Sequence, residues 1–304
     1  MEKYGKIIVL AGGPSSEREI SLKSGSAVCE ALRQKGQNAD FFDVHTEDPE
    51  ELRQLRADIV FIALHGKFGE DGSVQAVMED LRLPYTGSGP DASRLAIDKI
   101  ASREIFLKKG LKAPAYKVIK SAGDAEGIFG EFEAPFVVKP QREGSSIGLS
   151  IVSDSVHVKP AMNMAFSYGD TVIIEEYIHG REITVGILEE RALPVIEIVT
   201  RHDVYDFDAK YVDEGTNYIV PAKLNRESYM KAQKCALSAH KALGCRDFSR
   251  VDMRMDAGGS IYVLEINTIP GLTERSLLPK AAKAAGFDFE DLCLRLVELA
   301  VKRR

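Results

Sequence analysis

The sequence predicts an α/β protein that opens with a doubly wound parallel sheet and continues as a mixed α+β arrangement. Three observations predict it. Apolar runs of strand length alternate with helical periodicity as far as about residue 90. Further on, strands bracket a glycine- and serine-rich loop around Gly144-Ser-Ser-Ile-Gly148. Later still, two alternating runs flank Gly258-Gly259, a pair that tolerates the positive φ values of a tight turn. A chain of 304 residues exceeds the usual reach of one hydrophobic core. The pattern divides it into 1–90, 91–180 and 181–304.

In order, residues 6–10 read as a buried strand and 20–35 as a helix with Gly36 placed to end it. Residues 39–44 and 58–64 are further strands, the second apolar enough for a parallel sheet. A turn-rich linker at 85–91 leads to a helix over 93–109, ended by Gly110. Strands follow near 116–119, 135–139, 149–152 and 171–177, then 182–188 and 193–199. A polar loop from 200 to 216, a helix over 228–243, a hairpin over 250–267 and a helical tail complete the chain.

Composition narrows the functional class. A net charge of −6 gives no reason to expect nucleic acid or an anionic membrane as partner. The opening residues 1–10 hold too short an apolar run for a signal peptide, and no segment approaches a membrane span. Cys29, Cys235, Cys245 and Cys293 lack metal-ligand spacing and read as free thiols. A cytoplasmic protein is the expectation.

The hairpin carries the sharpest chemistry. With Gly258-Gly259 as its loop, Asp252 faces Glu265 and Arg250 faces Asn267. Strand period two puts all four on one side of the sheet. The other side collects Val251, Met253, Met255, Tyr262, Leu264 and Ile266 as a core surface. Opposed carboxylates about 5 Å apart at Cβ suit oxygen-loving Mg²⁺ held against phosphate. A solvated face with cross-strand ion pairs is the competing reading. The segment from Pro135 to Gly148 runs from a strand into a loop whose backbone N–H groups can approach a polyphosphate, with Lys139 at the strand end. Neither a P-loop nor a G-x-G-x-x-G fingerprint occurs, and on its own the loop reads more readily as an ordinary β-turn.

Together these pieces resemble the ATP-grasp superfamily, and within it the D-alanine–D-alanine ligases. The motifs that carry the resemblance start at Gly12-Gly-Pro-Ser-Ser-Glu, His65-Gly-Lys-Phe-Gly-Glu-Asp-Gly, Lys139-Pro-Gln-Arg-Glu-Gly-Ser-Ser, Tyr205-Asp-Phe-Asp-Ala-Lys-Tyr and Leu264-Glu-Ile-Asn-Thr-Ile-Pro-Gly. The resemblance implies an ATP-grasp fold that uses ATP and two Mg²⁺ ions, with Mn²⁺ able to substitute. It implies that Lys99 and Lys139 contact ATP phosphates, under a loop containing Ser145 and Ser146. Glu175, with Tyr177 and Ile178, would read the adenine, Glu182 the ribose, and Lys210 would join the nucleotide site. Asp252, Glu265 and Asn267 would hold the metals, and Arg250 would stabilise the oxyanion.

For substrates, the resemblance implies that Glu17 holds the ammonium of a first D-alanine, bordered by His65 and Glu70. Ser276 and Leu277 would bind the carboxylate of a second. Tyr211 would join Ser145 and Glu17 from a lid over residues 200–216. A homodimer through the N-terminal domain is expected by the same analogy. Read alone, Glu17 favours a helix start, with Ser16 and Glu19 as a capping box. Pro14 and Phe68 depart from the family pattern without removing a reactive group. Alternatives are a D-alanine–D-lactate or D-alanine–D-serine ligase, or a nucleotide-binding protein without catalysis.

Overall fold

The computed structural model describes residues 4–121, 128–200 and 215–303. The first section alternates β1 (Lys6–Gly12), α1 (Arg18–Gln34), β2 (Asn38–Val44), α2 (Pro49–Arg53), β3 (Ile59–Ile62) and α3 (Ser73–Leu81). All pairings are parallel, in the order β2-β1-β3. Both sheet faces are apolar because both are covered. Ile7, Val9, Ile59 and Phe61 pack on Val28 and Leu32 of α1, whereas Ile8, Leu10, Val60 and Ile62 pack on Leu52, Val74 and Met78.

Next come α4 (Pro90–Ile97), α5 (Lys99–Lys108), β4 (Tyr116–Ile119), α6 (Ile128–Glu131), β5 (Phe136–Pro140), β6 (Ser150–Val152), α7 (Val158–Phe166) and β7 (Val172–Glu176). The helix expected over 93–109 is therefore two helices. Asp98 breaks it: its backbone is extended at ψ 99°, and its carboxylate accepts from the N–H groups of Ile100 and Ala101. A capping carboxylate stops one helix and starts the next. The four strands form an antiparallel sheet ordered β4-β7-β5-β6, one face of which packs on Ala161, Met162 and Ala165 of α7.

The last section holds β8 (Arg181–Leu188), β9 (Arg191–Ala192), β10 (Ile196–Val199), β11 (Asn217–Ile219), α8 (Arg226–Ala242), β12 (Phe248–Met255), β13 (Ile261–Asn267), α9 (Leu277–Ala284) and α10 (Phe289–Val301). The sheet runs β11-β10-β8-β12-β13, with β9 on β8. Its core side rests on Ala232, Ala236 and Ala239 of α8. Leu292 and Leu296 of α10 return to the first section, joining one core with α1 and the parallel sheet. All four cysteines are free thiols.

The hairpin corrects one expectation and keeps another. Its turn is one residue longer than a Gly258-Gly259 loop, since Asp256 N–H bonds to the Ser260 carbonyl at 3.0 Å and Met255 pairs with Ile261. That register would misalign the acidic pair. A β-bulge after Asp252 restores it, so Asp252 still faces Glu265 and Arg250 still faces Asn267. Leu264 is the extra residue. Tyr262 and Leu264 consequently leave the core side, where Ile261 and Val263 take their places beside Val251, Met253, Met255 and Ile266. Bulges re-aim side chains in this way.

Candidate active site

Two adjoining cavities lie between the three sheets. The wider, about 810 Å³, is lined by Glu17, His65, Glu70, Lys99, Ser145, Arg250, Glu265, Asn267, Ser276 and Leu277. The narrower, about 80 Å³, is a slot lined by Lys99, Lys139, Ser146, Glu175, Tyr177, Ile178, Glu182, Asp252 and Glu265. Every described residue given a catalytic, nucleotide, substrate or metal role from the sequence lines one or the other. Lys210 and Tyr211, and with them residues 201–214 of the segment expected to form a lid, lie outside the described residues.

Lys99 and Glu265 border both cavities. The helix break at Asp98 is what places Lys99. Asp98 accepts from Gln141 at 2.7 Å and from Arg142 at 2.8 Å, tying the start of α5 to the end of β5. Burial alone would raise the Asp98 carboxyl, but Gln141, the Ala101 N–H and Arg142 hold it below its ordinary value. Lys99 then donates to the Glu143 carbonyl at 2.5 Å and lies 3.4 Å from Glu265.

On the ribbon, Arg250 grips Asp252 with two bonds, Nε to Oδ1 at 2.9 Å and Nη2 to Oδ2 at 2.7 Å. Thr184, opposite Asp252 on β8, donates to it at 2.6 Å. Asn267 accepts from the Ile269 N–H at 2.9 Å, which fixes its amide. Among the described residues no cluster of three or more His, Cys, Asp or Glu side chains could hold a metal. The ribbon offers two carboxylates and an amide oxygen instead. That set suits Mg²⁺, which keeps several waters and shares substrate phosphates rather than entering an all-protein cage.

In the slot, Lys139 lies 2.8 Å from Glu175, whose other oxygen accepts from Arg103. Burial depresses the Lys139 ammonium to about 8, with Arg103 and Lys99 pushing the same way against Glu175 and Glu265. Burial alone would raise Glu175; Arg103 and Lys139 outweigh it and hold the carboxyl below its ordinary value. At the far end the Arg254 guanidinium stacks 4.8 Å from the Tyr177 ring centroid and lies 3.4 Å from Glu182.

The loop between β5 and β6 is strained where the two cavities meet. Ser145 and Ser146 both adopt left-handed backbone, at φ 48° and 58°, a conformation that costs non-glycine residues, and the Ile147 N–H closes the turn on the Gly144 carbonyl at 3.0 Å. Ser145 donates to Glu17. A Cβ on Gly144 or Gly66 would come within 2.9 or 2.8 Å of Glu17 Oε2, so a larger residue at either place would push the Glu17 carboxylate aside; at Gly66 the left-handed backbone, φ 69°, favours glycine as well. The capping-box reading of this segment fails. Ser16 is exposed, and the Glu17 side chain makes no cap bond to α1.

Beneath Glu17, the His65 ring lies 3.0 Å from Ser24 Oγ and 3.3 Å from Glu70 Oε1. Burial pushes the Glu70 carboxyl up to about 7, eased by the His65 bond and aggravated by Glu17. Ser276 stands just before α9, its hydroxyl 2.9 Å from Thr273 Oγ1.

Residues 105–298 match the family described as D-ala D-ala ligase C-terminus, and residues 43–88 match its N-terminal counterpart. A D-alanine--D-alanine ligase of Citrifermentans bemidjiense is 46% identical over 298 residues, spanning 98% of this chain and 97% of that one. The chain belongs to the D-alanine–D-alanine ligase family. Family members with solved structures share its architecture. The D-alanine--D-alanine ligase of Bacillus anthracis complexed with ATP superposes with a TM-score of 0.87 at 31% identity, covering 98% of each chain. A D-Ala:D-Ser ligase from Enterococcus faecalis superposes with a TM-score of 0.82 at 29% identity, covering 98% of this chain and 100% of that one. Both matches establish the ATP-grasp fold across nearly the whole chain.

Sequence reading missed Arg103, Thr184 and Arg254. Arg103 follows Lys99 by four residues on one helix, a spacing that puts both on the same face. Arg254 continues the polar row Arg250, Asp252 along β12. Thr184 had no local signal, because its partner lies on a strand distant in sequence.

Proposed function

We propose that this protein joins two D-alanine molecules into D-alanyl-D-alanine, using ATP and an acyl-phosphate intermediate, for peptidoglycan precursors. The observation that carries the reading is one continuous site. A slot lined by strand-borne charges opens, at Lys99 and Glu265, into a cavity large enough for two small amino acids.

In this reading the slot takes ATP. Tyr177 and Ile178 flank the base, Glu182 accepts from the ribose, and Glu175 serves the adenine side while holding Lys139. Lys99, Lys139 and the N–H groups at Ser145 and Ser146 bind the phosphates. Asp252, Glu265 and Asn267 would hold two Mg²⁺ ions, which offset phosphate charge when bound. Lys210 joins the nucleotide and Tyr211 the substrate.

Glu17, braced by Ser145 and bordered by His65 and Glu70, holds the first D-alanine by its ammonium. A carboxylate oxygen of that substrate attacks the γ-phosphorus, forming a P–O bond as the bond to the β-phosphate oxygen breaks and ADP departs. Positioning supplies most of the acceleration. Ser276 and the Leu277 N–H, at the start of α9, bind the carboxylate of the second D-alanine. Its deprotonated amine attacks the acyl carbon, and Arg250 stabilises the developing oxyanion. Phosphate leaves with the oxygen that the first carboxylate contributed. Water exclusion preserves the acyl phosphate.

The protein acts in the cytoplasm, as a homodimer through its N-terminal section. No helix among the described residues is long and apolar enough to cross a membrane. The test is purified protein with ATP, Mg²⁺ and D-alanine, followed for ADP and dipeptide together, with D-serine and D-lactate as rival acceptors. One ADP per D-alanyl-D-alanine is expected. Preferential ester or D-alanyl-D-serine formation would reassign the acceptor, and no ADP release would remove the catalytic reading.

A further inference from the structure

Lys139 and Glu175 alone form a neutral pair, 2.8 Å apart and both buried. A neutral pair attracts a polyphosphate less than a lone ammonium does, since the carboxylate offsets much of the ammonium's field and the remainder falls off faster with distance. The third member changes this balance. Arg103, fully buried on α5, pairs with the other oxygen of Glu175 and lies over the Tyr116 ring at 5.3 Å. It does not line the slot. Its Nε and Nη1 are buried with no hydrogen-bond partner. An apolar side chain would fill this space without desolvating a guanidinium, so filling alone is a poor reason for arginine here.

We propose that Arg103 is a positioning residue of the nucleotide slot, which acts through Glu175 to leave Lys139 free to serve anionic phosphate. Arg103 and Lys139 share one carboxylate, so the buried trio carries a net positive charge directed at the slot. Without Arg103, Glu175 would claim Lys139 entirely. The inference rests on the nucleotide reading of the slot and adds to it the source of its charge.

Its signature is that the effect follows ligand charge. The ratio of the dissociation constants of adenosine and ADP, measured by calorimetry, isolates the phosphate contribution from adenine contacts. In R103M the ratio should fall about tenfold, with adenosine binding unchanged. R103K should keep it within about threefold of the wild type. The double variant R103M/E175Q leaves Lys139 as a lone cation and removes the unpaired carboxylate, so its ratio should recover to near the wild-type value even if R103M alone folds poorly. A merely structural arginine predicts equal loss for both ligands and no recovery. An unchanged ratio in R103M, or an unrecovered one in the double variant, overturns the proposal. Wild-type protein that binds no ADP would instead remove the nucleotide reading, and this proposal with it.

Discussion

Glu175 and Glu70 are both buried carboxyl groups on the walls of the same site, yet their surroundings drive them in opposite directions. Glu175, in the narrow slot, is held below its ordinary value because Arg103 and Lys139 outweigh its burial. Glu70, under the wide cavity, is pushed up to about 7 because burial, with Glu17 adding to it, outweighs His65 and the more distant Arg250. Depth does not set the charge state of a buried acid; its partners do. The slot is thus a place of fixed charge, carried mostly on strands and completed by Lys99 and Arg103 of α5. The cavity joins the polar side of the β12–β13 ribbon to loops and helix starts, with an acid close to the point of taking a proton.

The largest effect that can test this contrast lies at the slot. D252N keeps the size of the side chain but removes a carboxylate from the ribbon. It should lower kcat for ADP release and dipeptide formation together by about 10²–10³-fold, measured by coupled ADP and product assays. Loss of dipeptide with ADP release intact would place Asp252 on the cavity side of the division.

E70Q should separate the two acids by stability. Below pH 4.5 Glu70 is protonated in folded and unfolded chains alike, and its neutral form costs nothing. As pH rises from 4.5 to about 7, the unfolded chain ionises first, so the wild type loses stability. E70Q lacks that loss and should be the more stable protein above pH 7, by ~3 kcal/mol at most for this span. Thermal melts of both proteins at pH 4.5 and 8 read it. Parallel melting curves across that range would mean that Glu70 is as comfortably ionised as Glu175.

Smaller effects sharpen the boundary. S276A should raise KM for the second D-alanine about tenfold while KM for ATP stays put, seen in initial rates with each substrate varied. R254M, which removes the guanidinium against Tyr177 and Glu182, should do the reverse, raising KM for ATP about threefold with both amino-acid constants unchanged. That size is typical of a partly exposed cation–π contact. If either variant moves both sets of constants, the two cavities are not separable units.

How much of this was legible in sequence depended on the distance between partners along the chain. The Asp252–Glu265 pair is local, and alternation around a glycine turn was enough to find it. The same reasoning misplaced Tyr262 and Leu264, since a turn longer by one residue and a bulge cancel at the acidic pair but not between them. The break at Asp98 was visible only as an aspartate before a helix-forming run, and helical periodicity on both sides hid it. Long-range partners had no local signature. Thr184 meets Asp252 because β8 and β12, far apart in sequence, pair in one sheet, and Ser145 meets Glu17 because the loop after β5 reaches the start of α1. Family motifs marked Glu17, Lys139 and Ser276, but not the buried Arg103 that pairs with Glu175 behind Lys139.

Oxygen transfer tests the proposed chemistry most directly. With D-alanine labelled by ¹⁸O in its carboxylate, the reaction should deliver one labelled oxygen to inorganic phosphate for each dipeptide made, read by mass spectrometry of the phosphate. Label appearing in AMP, or phosphate emerging unlabelled while dipeptide accumulates, would contradict an acyl phosphate formed between the slot and the cavity.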